Sequence, residues 1–104
     1  MSRLEKLQSF LEQDPNDSFT RYAIGLEYAS MKDHDAAIKT FEELRGKDAN
    51  YVATYYQLAG CYREKGDKAK AEETYKLGIK VARSANDLHA ASELQAALDE
   101  LDED

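Results

Sequence analysis

Two stretches of this chain carry matching residues 34 positions apart. Ile24 corresponds to Leu58, Gly25 to Ala59, Tyr28 to Tyr62, Asp33 to Asp67, Ala37 to Ala71 and Phe41 to Tyr75. A unit of that length holds two short helices and their turns. One such unit cannot bury the apolar faces of both helices, so neighbouring copies must stack and supply one another's core.

The local pattern is helical throughout. Ala, Glu, Leu and Lys dominate, Val occurs only twice, and no stretch alternates apolar and polar residues in the manner of a strand. Six segments follow. Residues 2–13 place Leu4, Leu7 and Leu11 on one face with Phe10 beside them, and Ser2 with Glu5 fits a capping box. Pro15 disfavours helix at Asp14 and ends the segment. Residues 17–31 carry Phe19, Tyr22, Ala23, Ile24, Leu26 and Tyr28, a set that wraps more than one side, with Asp17 or Ser18 as the cap. Residues 33–45 hold Ala37, Ile38, Phe41 and Leu44 on one stripe, with Gly46 as the expected stop. Residues 51–65 end at Gly66, residues 67–83 begin at a capping Asp67, and residues 87–101 carry Leu88, Ala91, Leu94, Leu98 and Leu101. The acidic end, Asp102-Glu103-Asp104, is expected to fray.

Composition sets the outer limits. At 104 residues the chain has room for one core. Acidic residues outnumber basic ones by 21 to 14, and a net charge of -7 opposes broad binding to nucleic acid or anionic membrane. The longest uncharged run, 49–62, is too short and too polar to span a bilayer, and no apolar signal core follows Met1, so a cytoplasmic location is expected. The initiating Met1 and the acidic end favour a complete gene product. Cys61 is the single cysteine and can close no internal disulfide.

The two copies resemble the tetratricopeptide repeat, whose pattern is W-x2-L-G-x2-Y, then A-x3-F, then P. Arg21, Ile24, Gly25, Tyr28, Ala37 and Phe41 fill those places in the first copy, and Tyr55, Leu58, Ala59, Tyr62, Ala71 and Tyr75 in the second. Gly25 or Ala59 would let paired helices approach, and Ala37 and Ala71 would sit where they cross. The departures are Arg21 in the Trp place, Ala49 and Arg83 in the closing Pro places, and Gly78 where the first copy has Leu44. Pro15 lies 34 before Ala49, so the first segment resembles the second helix of a truncated repeat. The resemblance implies an all-α, right-handed superhelical stack of antiparallel hairpins. It would be one domain of about six helices: a flanking helix in 1–16, repeats at 17–50 and 51–84, and a capping helix with an acidic tail in 85–104.

No residue pattern points to catalysis. Neither GxxxxGK[ST] nor HExxH occurs, so no phosphate loop or zincin site is expected. His34 and His89 start separate segments and gather no further ligands, and both are expected to be exposed. Cys61 suits a small packing residue better than a nucleophile, which would need a base beside it. Helix capping accounts for most of the turn aspartates. No enzyme, metal or cofactor is expected. Lys76, Lys80 and Arg83 share a face of the fifth segment, which could meet a polyanion but is more simply a solvated surface.

The resemblance also implies where a partner would bind. In that family the first helix of each hairpin lines a concave surface that holds peptides. The matching groove residues here are Phe19, Tyr22, Leu26 and Ser30, then Tyr56, Gln57 and Arg63, with Ala53, Gly60 and Glu64 beside them. Aromatics bury area at little rotamer cost, and Gln57 and Arg63 would add polar selectivity. The Lys, Asn and Arg clamp that some relatives use for terminal carboxylates is missing: Tyr22, Leu26 and Gln57 stand in its places, and Asp87 and Ala91 would extend the set. The expected function is therefore protein–protein interaction, as an adaptor or scaffold for a peptide or helix. The alternative is an obligate homodimer whose interface is formed by the same groove aromatics.

Overall fold

The computed structural model describes residues 1–103. Six helices follow in order: α1 (Arg3–Gln13), α2 (Ser18–Ser30), α3 (His34–Lys47), α4 (Ala53–Lys65), α5 (Lys68–Ser84) and α6 (Leu88–Asp102). Each packs against the next, so α2–α3 and α4–α5 form antiparallel hairpins. The first helices of successive hairpins also meet: α2 touches α4, and α4 touches α6. The stack measures 41 × 29 × 19 Å.

Two kinds of turn build it. Within hairpins, one residue takes positive φ and the next is an aspartate. Lys32 (φ 63°) precedes Asp33, and Gly66 (φ 86°) precedes Asp67. The aspartate amide reaches back to the Tyr28 and Tyr62 carbonyls at 3.0 and 2.9 Å, while its carboxylate caps the next helix at Ala36 and Lys70. Asn86 (φ 58°) and Asp87 repeat the device before α6. Between hairpins, Asp14 and Asp48 end α1 and α3 in matching extended conformations. Proline stands after Asp14 but not after Asp48, so the geometry does not depend on the proline.

Several expectations are corrected. Gly46 does not stop α3. Its φ is not positive, and the helix continues to Lys47, where the Asp48 amide closes onto the Leu44 carbonyl at 2.7 Å. The fourth helix starts at Ala53, because Tyr51 and Val52 belong to the turn. Asp17 occupies the cap position of α2 but accepts from the Thr20 hydroxyl at 2.6 Å and not from a backbone amide. Asp102 is helical, Glu103 caps α6, and Asp104 lies outside the described residues. The capping box of Ser2 and Glu5 is complete.

The core runs from Ala37 and Phe41 on α3 to Leu101 on α6. Ala37 and Ala71 are fully buried at the helix crossings. A Cβ on Gly25 would lie 2.4 Å from the Phe41 ring, so glycine there sets the spacing of α2 and α3. No residue of α1 is buried, and Phe10 is exposed. Polar contacts help hold α1 to α2: Arg3 pairs with Glu27 at 2.7 Å, and Gln8 donates to the Tyr28 hydroxyl at 3.3 Å.

The last helix departs from the period. The buried Tyr55, Leu58, Cys61 and Tyr62 of α4 are matched by Ala91, Leu94, Ala97 and Leu98 of α6, an offset of 36. α5 has 17 residues against 14 in α3, and a shorter turn follows it. Ala91 therefore faces the core, not the concave surface expected from a period of 34.

Candidate functional site

A recess lies where α2, α4 and α6 line up. It is a cleft of about 370 Å³ lined by Tyr22, Val52, Ala53, Tyr56, Gln57, Asp87, His89, Ala90, Glu93 and Leu94. Tyr22 and Tyr56 are equivalent residues of the two repeats, so the stacking itself sets them side by side on neighbouring helices.

Each tyrosine is anchored on one side and open on the other. The Tyr22 ring lies 5.9 Å from Phe41 and 5.6 Å from Tyr51, both tilted. Burial pushes its hydroxyl pKa up, and a hydrogen bond with Gln57 opposes the shift. The Tyr56 ring meets Tyr75 edge-on at 6.3 Å, yet Tyr56 stays 45% exposed. Such a surface offers an apolar face with polar tips and little rotamer freedom to lose.

The remaining groove residues are spread more widely. Phe19 and Leu26 are exposed on α2 but do not line the cleft. Ser30, at the end of α2, donates its hydroxyl to the Glu27 carbonyl at 2.8 Å. Arg63 lies two turns beyond Tyr56 and pairs with Glu100 of α6 at 3.7 Å. The cleft thus gathers Tyr22, Tyr56 and Gln57, and leaves Phe19, Leu26, Ser30 and Arg63 around it.

α6 supplies what the sequence left obscure. Asp87, His89, Ala90, Glu93 and Leu94 form the third wall, and His89 stands 3.2 Å from Glu93. The places of His89 and Glu93 follow from the extra length of α5, for which the 34-residue pattern carries no signal, whereas that pattern itself sets Asp87 opposite Ala53. His34, by contrast, is half-buried and not exposed, and its Nδ1 has no partner. Burial, then the charge of Glu64, push the Cys61 thiol pKa up, which leaves it a packing group. Among the described residues, no group of three His, Cys, Asp or Glu side chains could hold a metal ion. On α5, Lys76 is bonded to Glu72 at 2.8 Å, whereas Lys80 and Arg83 are exposed. No helix of the described residues is long and apolar enough to cross a membrane.

Comparison with known proteins decides the family. A profile of the tetratricopeptide repeat matches residues 28–98. The chain belongs to the tetratricopeptide repeat family. A tetratricopeptide repeat domain protein from Salinibacter ruber, solved by NMR, is 40% identical and superposes with a TM-score of 0.80 over 85% of this chain and 89% of its own. A tetratricopeptide repeat and J domain-containing co-chaperone of Cryptococcus neoformans is 31% identical over 70 residues, or 67% of this chain. The chain spans only 13% of that relative's length. The type III secretion chaperone SycD of Yersinia enterocolitica, in complex with a peptide of the translocator YopD, is 20% identical. It superposes with a TM-score of 0.85 over 95% of this chain and 76% of its own, a likeness of fold. The tetratricopeptide hairpins therefore place α2, α4 and α6 along one face and α3 and α5 along the other.

Proposed function

We propose that this tetratricopeptide repeat chain is a protein-interaction module, an adaptor or scaffold that takes a peptide or helix of its partner in the cleft between α2, α4 and α6. One observation carries the reading. Tyr22 and Tyr56, equivalent in the two repeats, line one recess, and Tyr56 is 45% exposed. A partner could cover that apolar area without unfolding anything. The repeat fold is in general a non-catalytic scaffold, and SycD offers a precedent for peptide binding on the same fold. In this reading Phe19 and Leu26 extend the apolar path along α2, while Ser30, Gln57 and Arg63 contribute polar selectivity at its margins. Repeats at 17–50 and 51–84 would form the body of the site, with 1–16 as a flank and 85–104 as its third wall.

The test is selection of binders from a displayed random-peptide library against the intact chain. Affinity is then measured for the wild type and for the double variant Tyr22→Ala, Tyr56→Ala. The expected outcome is at least about a tenfold loss of affinity with helicity retained. Equal affinity for the double variant overturns the reading.

A second reading is an obligate homodimer whose interface is formed by the groove aromatics. Phe19 is 68% and Tyr56 45% exposed, so a second copy of the chain could cover them. Light-scattering mass from about micromolar to millimolar concentration separates the two. A monomer throughout supports peptide binding, and a stable dimer that Phe19→Ser dissociates supports self-association.

A further inference from the structure

The wall that α6 adds to the cleft is acidic. Its charged groups are Asp87 and Glu93, with His89 beside Glu93, and no lysine or arginine lines the recess. One carboxylate oxygen of Asp87 accepts from the Ala90 amide at 3.1 Å. The helix Leu88–Asp102 contains no lysine or arginine at all, and Glu93 and Glu100 lie two turns apart along it. Arg63 of α4 pairs with Glu100 at 3.7 Å.

A second observation concerns Gly60. Glycine weakens a helix interior relative to alanine. Gly25 and Gly78 have a reason inside the molecule, since a Cβ on either would collide with Phe41 or Tyr55, and Gly66 needs its positive φ. Gly60 has none, and Gly46 near the end of α3 shares that freedom: a Cβ on either would meet nothing within 4 Å, but Gly60 alone of the two lies on a helix that lines the cleft. It lies one turn beyond Tyr56, and its equivalent in the first repeat is the exposed Leu26. Gly60 thus leaves a notch one side chain deep on α4, one turn beyond Tyr56.

We infer that the occupant of this groove is a cationic amphipathic segment, with an apolar side chain against Tyr22 and Tyr56, its chain passing over Gly60, and a lysine or arginine facing Glu93 and Asp87. This rests on the reading that the cleft binds peptides. The attraction is one of charge complementarity, in which the exposed carboxylates of α6 reject an acidic segment and steer a basic one.

The experiment uses three synthetic amphipathic helical peptides with the same leucine face and with lysine, glutamine or glutamate at every polar position. Affinity for the intact chain is measured by fluorescence anisotropy. The lysine peptide is expected to bind at least about tenfold more tightly than the glutamine peptide, with the glutamate peptide weakest. Glu93→Lys should abolish that order. Glu73→Lys, the same charge change on α5 and outside the cleft, should preserve it. Gly60→Leu should block binding with helicity intact. If Glu73→Lys acts as strongly as Glu93→Lys, the attraction belongs to the net charge and the inference fails. If Gly60→Leu binds normally, the path over Gly60 is wrong. If the glutamine peptide binds as tightly as the lysine peptide but still needs Tyr22 and Tyr56, the charge inference falls while the cleft reading stands. If no peptide depends on Tyr22 and Tyr56, both fall.

Discussion

Arg21 and Tyr55 make the same hydrogen bond with different chemistry. Arg21 Nη2 donates to the Pro15 carbonyl at 2.7 Å, and the Tyr55 hydroxyl donates to the Ala49 carbonyl. Donors and acceptors alike stand 34 residues apart, in the place where the family carries tryptophan. A long side chain with a terminal donor at this place ties the first helix of a repeat to the turn before it. Tyr55→Phe removes that donor and should destabilise by about 1 kcal/mol. Arg21→Met should cost about 1–3 kcal/mol, because it removes a charged donor from the part-buried Pro15 carbonyl, while Glu43, 3.6 Å from the guanidinium and 47% exposed, is left to water. Urea denaturation of the two variants checks both values, and an unchanged midpoint for either would remove it from this role.

The glycines give a prediction of opposite signs. A Cβ on Gly78 would lie 2.5 Å from the Cβ of Tyr55, whereas one on Gly60 would meet nothing. Gly78→Ala should destabilise by about 1–3 kcal/mol through overpacking. Gly60→Ala should stabilise by up to about 1 kcal/mol through helix propensity. Thermal melting of the pair measures both.

Ala37 and Ala71 are each 0% exposed at the crossings of their hairpins. Ala37→Leu or Ala71→Leu should cost about 1–3 kcal/mol. An unchanged melting temperature for either would mean that the crossing is looser than the structure has it.

Lys32 holds the conformation that Gly66 holds one repeat later, but with a side chain present. A non-glycine residue pays about 1–2 kcal/mol there, partly offset by the greater unfolded-state entropy of glycine. Lys32→Gly should therefore raise stability by up to about 1 kcal/mol, read as a higher denaturation midpoint.

Alkali should unfold the protein through its tyrosines. Burial raises the Tyr62 pKa, and so do the hydrogen bond its hydroxyl donates to Glu42 and the charge of that carboxylate. Burial also raises Tyr22, Tyr51, Tyr55 and Tyr75. The folded state holds these protons more tightly than the unfolded state, so their contribution is complete below the ordinary value of 10.0 and is lost as pH rises through the folded values. Phenolate absorbance and circular dichroism, followed together, should change in the same pH range, and Tyr62→Phe should move the loss of structure to higher pH. At the acid end, hydrogen bonds with Ser2 lower the Glu5 pKa below its ordinary 4.5, so the capping box is kept above that pH and lost as pH falls through the lowered value.

Much of this was legible in the residues because it is local. Capping aspartates, the Gly66 stop, the small residues at the crossings and the 34-residue match of the two hairpins depend on neighbours in sequence or on one repeated contact. Tyr22 and Tyr56 could be set as equivalents because the period pairs them, whereas the period did not tell that Phe19 and Leu26 lie outside the recess. Gly46 misled because glycine permits a helix end without requiring one.

What only the tertiary structure decided was how the repeat ends. α5 runs longer than α3 before its stop, and α6 settles at an offset of 36 so that Ala91, Leu94 and Leu98 reach the core. That shift brings His89 and Glu93 to the cleft beside Asp87, which the period had already set there. A sequence period carries positions forward one by one, whereas a packed helix turns until its apolar stripe is buried, and here burial overrode the period.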